Sequence, residues 1–200
     1  KKTKLSTESF SVLPISDKYS FYADPFFSKD GRRLRLEALG KKTGLGSLLE
    51  VDLSNFKAQN VFISGEHYSY PFSFLYDGEE YLLPEVASHS PPYYFNFNKG
   101  NKDKIYLRGL EAKRIVDATL LDHEGHVYLF FGDQIEAQNV LNLWVSTGPK
   151  DVFYPHPSSP ISISPGRARM GGSIVKRKDF FYRFGQNNKK KYGEDIDTLK

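Results

Sequence analysis

Ala23-Asp24-Pro25-Phe26-Phe27 runs through the turn Lys29-Asp30-Gly31 into Arg33-Leu34-Arg35-Leu36-Glu37: a short apolar strand, a tight turn and a second strand. The layout returns three times. Tyr68-Ser69-Tyr70-Pro71-Phe72 leads through Tyr76-Asp77-Gly78 to Glu85, and Val116-Asp117-Ala118-Thr119-Leu120 through His123-Glu124-Gly125 to Gly132. The last unit, Met170-Gly171-Gly172-Ser173-Ile174, leads through Arg177-Lys178-Asp179 to Gln186. Asp-Gly is a strong hairpin signal, because glycine accepts the positive φ that tight turns require. A third strand can be drawn in the first three units, over 47–53, 93–98 and 140–146, with weaker fourth strands over 60–63 and 105–107. The alternation in Leu141-Asn142-Leu143-Trp144-Val145 suits a sheet with one buried face. Helical periodicity with caps is nearly absent, and only residues 110–115 could pass for a turn of helix. Repeats of roughly 45–50 residues, each of three or four strands, are the pattern of an all-β propeller. A β-sandwich with similar hairpins is the competing architecture.

The length of 200 residues suits one domain, so 1–200 is read as a single propeller. The chain opens Lys1-Lys2-Thr3 rather than with Met and is expected to be a piece of something longer. Either residues 5–21, with Phe10-Ser11-Val12-Leu13, close the ring beside the fourth unit, or a further piece completes a fifth blade. Thirteen Tyr, sixteen Phe and one Trp bring aromatics to 15%. Such rings favour pleated surfaces and, where exposed, stack on sugars, bases or partner proteins. Much of the net charge of +4 comes from Lys1, Lys2, Lys4, Lys41, Lys42 and the run 189–191. That is a set of terminal and loop positions rather than a basic face with interleaved rings, so nucleic acid is not an expected partner. The absence of cysteine removes disulfides and thiolate metal sites. No stretch approaches the ~20 apolar residues of a membrane helix, and no signal peptide is visible. The compartment stays open, with the cytoplasm slightly favoured.

In a propeller the first strand of each blade lines the central channel, where a ligand can sit. The repeat puts Asp24, Ser69/Tyr70, Asp117 and Gly171 at equivalent places there, and Glu37, Glu85, Gly132 and Gln186 at the ends of the second strands. Two aspartates share one place and two glutamates the other. Either aspartate could instead cap a local turn, and Glu37 could simply pair with Arg35. Among the histidines, His67 enters the same channel end. His123 and His126 flank a hairpin turn, His89 lies in a Ser/Pro loop, and His156 is expected to order a loop. No metal spacing and no cofactor motif is present, so neither a metal nor a cofactor is expected. Arg169 and Arg183, in the polar last block, could fork onto a ligand carboxylate or phosphate, or pair with Asp24 or Asp117. The paired Gly171-Gly172 would let a ligand or a neighbouring backbone come close.

Taken in order, Ala-Asp-Pro-Phe, His-x-Ser-Tyr-Pro, Tyr-x-x-Pro-Glu, Asp-Ala-Thr, His-Pro-x-x-Pro, Arg-x-x-Gly-Gly and Arg-x-x-Gln-x-x-x-x-x-Tyr-Gly span roughly residues 21–196. This order resembles the N-terminal propeller domain of plant glucosamine inositolphosphorylceramide transferases, itself similar to the five-bladed glycosidases of glycoside hydrolase family 43. The resemblance implies a carbohydrate partner, with Asp24 as general base and Asp117 as the carboxylate that positions and tunes the acid. The acid itself is normally a Glu on the fourth blade's inner strand, and Arg169-Met170-Gly171-Gly172-Ser173 has none. Glycoside hydrolysis needs an acid opposite the base or nucleophile, and here only Glu85 or Glu37 could substitute. Two functions therefore stand at this stage. One is a glycan-binding propeller attached to a sugar-transferring or sugar-modifying enzyme, with His67, Tyr70, Arg169, Arg183 and Gln186 contacting the sugar and a covalently linked enzyme domain as candidate partner. The other is a glycosidase using Asp24, Glu85 and Asp117.

Overall fold

A computed structural model describes residues 12–62, 66–86, 88, 91–99, 103–191 and 195–200. Sixteen strands form four antiparallel sheets. The first holds β1 (Tyr19–Phe27), β2 (Arg33–Gly40), β3 (Gly46–Asp52) and β4 (Ala58–Phe62) in sequence order. The second holds β5 (Ser69–Tyr76), β6 (Glu79–Glu85), β7 (Tyr93–Asn96) and β8 (Ile105–Tyr106), again in order. In the third, β9 (Ile115–His123), β10 (His126–Asp133), β11 (Val140–Ser146) and β12 (Tyr154–Pro155) follow one another, and β13 (Ser162–Ile163) also pairs with β11. The fourth has β14 (Val175–Arg177), β15 (Phe180–Asn187) and β16 (Asp195–Leu199). Each sheet is one blade of a propeller, and among the described residues there is no helix: 110–115 is turn and strand. The turn glycines Gly31, Gly78 and Gly125 take φ of 66°, 77° and 73°, as the hairpins require.

One local feature shapes the centre. In β1 the pairs Ala23↔Glu37 and Phe26↔Arg35 leave Asp24 and Pro25 opposite a single residue. The same bulge lies in β5 between Ser69↔Glu85 and Phe72↔Leu83, and in β9 between Val116↔Gly132 and Thr119↔Phe130. Its first residue has positive φ each time: 48° at Asp24, 44° at Tyr70 and 50° at Asp117. Non-glycine residues rarely take that region, and a bulge there re-aims the side chain. The repeated sequence thus encodes a repeated backbone device, not turn caps.

The fourth unit departs from expectation. Its inner strand was expected from Met170, but 171–174 is not strand: Met170 makes only an isolated bridge to Gly185, and β14 begins at Val175. Two glycines offer no side chains to hold a ladder. The bridge also aligns Gly185, not Gln186, with Glu37, Glu85 and Gly132, a shift of one residue. The short strand β16 had no sequence counterpart. Of 5–21, residues 1–11 lie outside the described part, 12–18 form no strand, and Tyr19–Phe21 belong to β1.

The main core joins the blades about the axis. Phe26, Tyr70, Phe72, Tyr94, Leu129, Phe131, Ala168 and Met170 are all buried in one cluster. Phe26 meets Tyr70 edge-on at 4.9 Å, joining the first two blades. Away from the axis the same two blades are joined by Arg35, whose fully buried guanidinium donates to Glu50, Ser73 and both oxygens of Glu80. Arg35 therefore pairs with Glu50 and Glu80, leaving Glu37 to another role.

Candidate functional site

The first residues of two bulges, Asp24 and Tyr70, line a cavity of about 880 Å³ at one end of the axis, together with Glu37, Glu85, Arg169 and Gln186 among others. Ligand pockets usually enclose roughly 300–1,000 Å³. Phe21, His67, Gly171, Gly172, Asp195 and Ile196 complete much of its wall. Phe21 and the β16 residues have no signal in the sequence, and Glu37, the weaker of the two glutamates that could replace the missing acid, lines the cavity beside Glu85.

Asp117 sits behind this wall, only 2% exposed. Arg169 Nε donates to its Oδ2 in a very short contact, and Gln186 Nε2 donates to the same oxygen at 3.2 Å. Gln186 Nε2 also reaches Met170 O at 2.7 Å, so one amide joins the fourth blade to the third. Glu85 Oε2 accepts the Asp117 backbone N–H at 2.9 Å. That N–H is released from the ladder by the bulge. Burial pushes both carboxyls of this pair above their ordinary range, and Arg169 opposes the shift.

Asp24 is half-buried, and burial followed by the Asp117 charge raises it to about 6, with Arg169 and the Tyr70 backbone N–H opposing. Tyr70 makes a structural link instead. Its hydroxyl shares a 3.0 Å hydrogen bond with Thr119 and accepts from Gly172 N at 3.1 Å, tying the second blade to the third and fourth. Tyr70→Phe leaves the Thr119 hydroxyl and the Gly172 N–H without this buried partner. It is expected to destabilise the protein by about 1–3 kcal/mol, read as a lower Tm in calorimetry.

Arg183 is not brought to the cavity. Its Nη1 donates to Arg167 O at 2.6 Å, away from the lining residues. Of the histidines, His67 lines the wall, while His156 Nδ1 accepts from Ser158 N at 3.1 Å within its loop. His123 and His126 face each other across the β9–β10 hairpin, and His89 lies outside the described residues. Tyr192 and Gly193, the end of the last motif, do too. Among the described residues no three His, Cys, Asp or Glu group to hold a metal.

The fold and this cavity can be set beside known proteins. A family model described as the N-terminal part of glucosamine inositolphosphorylceramide transferase 1 matches residues 50–200. The chain belongs to this family. Glucosamine inositolphosphorylceramide transferase 1 of Arabidopsis thaliana is 29% identical over 201 residues, covering 90% of this chain and 25% of that protein. Its counterpart from Oryza sativa subsp. japonica is 29% identical over 197 residues, covering 90% and 26%. The chain thus spans about a quarter of the length of these family members. Among solved structures, a thermostable family-43 glycoside hydrolase superposes with a TM-score of 0.62 at 15% identity, over 90% of this chain and 68% of that one. An α-L-arabinofuranosidase from Podospora anserina, in complex with cellotriose, gives 0.59 at 11% identity, over 88% and 63%. These likenesses are of fold, and in this chain Gly171 and Gly172 stand at the fourth blade's inner position.

Proposed function

We propose that the axial cavity binds a glycosyl group, and that the propeller is the recognition domain of a longer sugar-transferring or sugar-modifying chain. The observation that carries this reading is the bulge repeated in three blades. It places strained backbone at Asp24 and Tyr70, which line the cavity, and at Asp117 directly behind its wall, and such strain clusters at functional sites. Carboxylates and the Gln186 Oε1 accept sugar hydroxyls, Arg169 supplies donors, and Phe21 and Phe26 supply apolar wall. The name of the family, glucosamine inositolphosphorylceramide transferase, supports a sugar as ligand, and the length of its members, about four times this chain, leaves room for a transferring domain beside the propeller.

A glycan array followed by calorimetric titration tests the reading. Capture of at least one glycan is expected, and Asp24→Asn should weaken it about tenfold, the difference between a charged and a neutral hydrogen bond. No capture by the parent protein, or full affinity in Asp24→Asn, would reject the site. Cleavage is a second reading, favoured by the raised Asp24 and Glu85 carboxyls, with Asp24 as base and Glu85 as acid. Against it, Glu85 Oε2 is occupied by the Asp117 N–H. The captured glycan is expected to survive prolonged incubation uncut. Hydrolysis that disappears in both Asp24→Asn and Glu85→Gln would establish the second reading, since acid–base catalysis is worth ~10²–10⁴-fold in rate.

A further inference from the structure

Three residues of the first blade's rim form a chain of hydrogen-bonding groups with one polarity. Gly46 N–H donates to His67 Nδ1 at 2.9 Å. That nitrogen is therefore the acceptor, and neutral His67 carries its proton on Nε2. Nε2 faces Glu37 Oε1 at 3.6 Å. That distance is longer than a hydrogen bond, but it places Oε1 toward the His67 N–H and so favours Oε2 as the seat of any proton on the carboxyl. Glu37 is only 6% exposed, yet it lines the cavity. Gly46 is what lets the three approach: a Cβ there would lie 2.8 Å from Glu37 Oε1, 3.1 Å from His67 Cε1 and 2.3 Å from Tyr68 O.

We propose that Glu37, in its carboxylic-acid form and oriented by His67 on Gly46, donates a hydrogen bond to an acceptor oxygen of the bound glycosyl group. The inference rests on the cavity being a glycosyl site and assigns it a donor. The surroundings favour the acid form. Burial comes first, then the negative charges of Asp24 on β1 and Asp117 on β9, opposed by Arg169, and together they raise Glu37 to about 7. His67 turns an N–H toward Oε1 and leaves Oε2 to the ligand, while Glu85 and Asp195 line the same cavity. Below pH 7 Glu37 donates; as pH rises through 7 the proton, and with it the hydrogen bond, is lost.

Calorimetric titration with N-acetylglucosamine, galactose and cellotriose, at pH 6 and pH 8, tests this. Asp24, raised to about 6, titrates in the same window and in both proteins, so the comparison is between parent and Glu37→Gln at each pH. Glu37→Gln keeps a donor, the amide N–H, that no longer titrates. For any of the three sugars that binds, it should match the parent at pH 6 and bind about tenfold more tightly than the parent at pH 8, the slope of one linked proton. Unchanged pH dependence in Glu37→Gln, or loss of binding at both pH values, would overturn the proposal. If none of the three sugars binds, the glycosyl reading fails for them, and carbon-detected NMR on the free protein judges the donor on its own. Glu37 titrating near 7, and higher still in His67→Ala, supports the polarised chain; an ordinary carboxylate value overturns it.

Discussion

Replacing Arg35 by Met is expected to destabilise the protein by about 3–5 kcal/mol, the usual cost of removing one partner from a buried ion pair. Arg35 is 0% exposed and bonded at every nitrogen: Nε to Glu50 at 3.0 Å, Nη1 to Ser73 at 2.8 Å and Glu80 at 2.7 Å, Nη2 to Glu80 at 2.9 Å. Its guanidinium also lies 3.7 Å from the centre of the Phe97 ring. Met fills much of the volume but leaves Glu50, 2% exposed, with only Arg33 and Gln59. It also frees Glu80, whose carboxyl the Arg35 hydrogen bonds now hold below the ordinary range. For a domain of this size the loss corresponds to a Tm lower by about 10 °C. Lys113→Met is the control, because its 2.9 Å pair with Asp133 is only partly buried and worth about 1 kcal/mol. Equal melting shifts in the two variants would mean that Arg35 does not join the blades.

Glu37→Gln is expected to act in the opposite direction, stabilising the protein by about 3 kcal/mol at pH 8 and by only a few tenths at pH 4. The sign follows from the raised carboxyl. Glu37 titrates at about 7 in the folded protein against an ordinary 4.5, so the folded state holds the proton more tightly than the unfolded one. The parent is therefore most stable, as far as Glu37 is concerned, below pH 4.5. It loses stability as pH rises toward 7, and the loss levels off above that. Gln has no charge to confine in the cavity wall. Urea denaturation of both proteins at pH 4 and pH 8 measures the difference directly. Equal stability at pH 8 would mean that Glu37 meets no unfavourable field. A gain of this kind marks a residue kept for function at the expense of stability.

The hairpins were legible because each carries its own local signals. Acidic-Gly turns and alternating strands reproduced β5, β6, β9 and β10 closely, and β11 over its whole length. The fourth inner strand was misread because its glycines matched the repeat in position but lack the side chains that make a strand. Asp24, Asp117 and Glu85 were legible because the repeat puts them at equivalent strand positions, whereas Gln186 lies one residue past its equivalent place and His67 and Arg169 were singled out from their local sequence. The repeat could not show that a bulge with positive φ re-aims Asp24, Tyr70 and Asp117. Nor could it show that Arg183 turns to the Arg167 carbonyl. For Glu37 the position was legible but its partner was not, and Gly46 was hidden altogether. Arg35 is two residues from Glu37 and seemed its natural partner, whereas the sheet sends Arg35 outward to Glu50 and Glu80. The pair Gly44-Leu45-Gly46 reads as loop, and only the 2.9 Å bond to His67 shows what Gly46 is for.

Diffraction from crystals soaked with a sugar captured on the array tests the central claim most directly. The account predicts that sugar in the axial cavity, with oxygens about 2.6–3.2 Å from Asp24, Glu37 and Gln186. A sugar lodged on the outer strands, with the cavity holding only water, would contradict it.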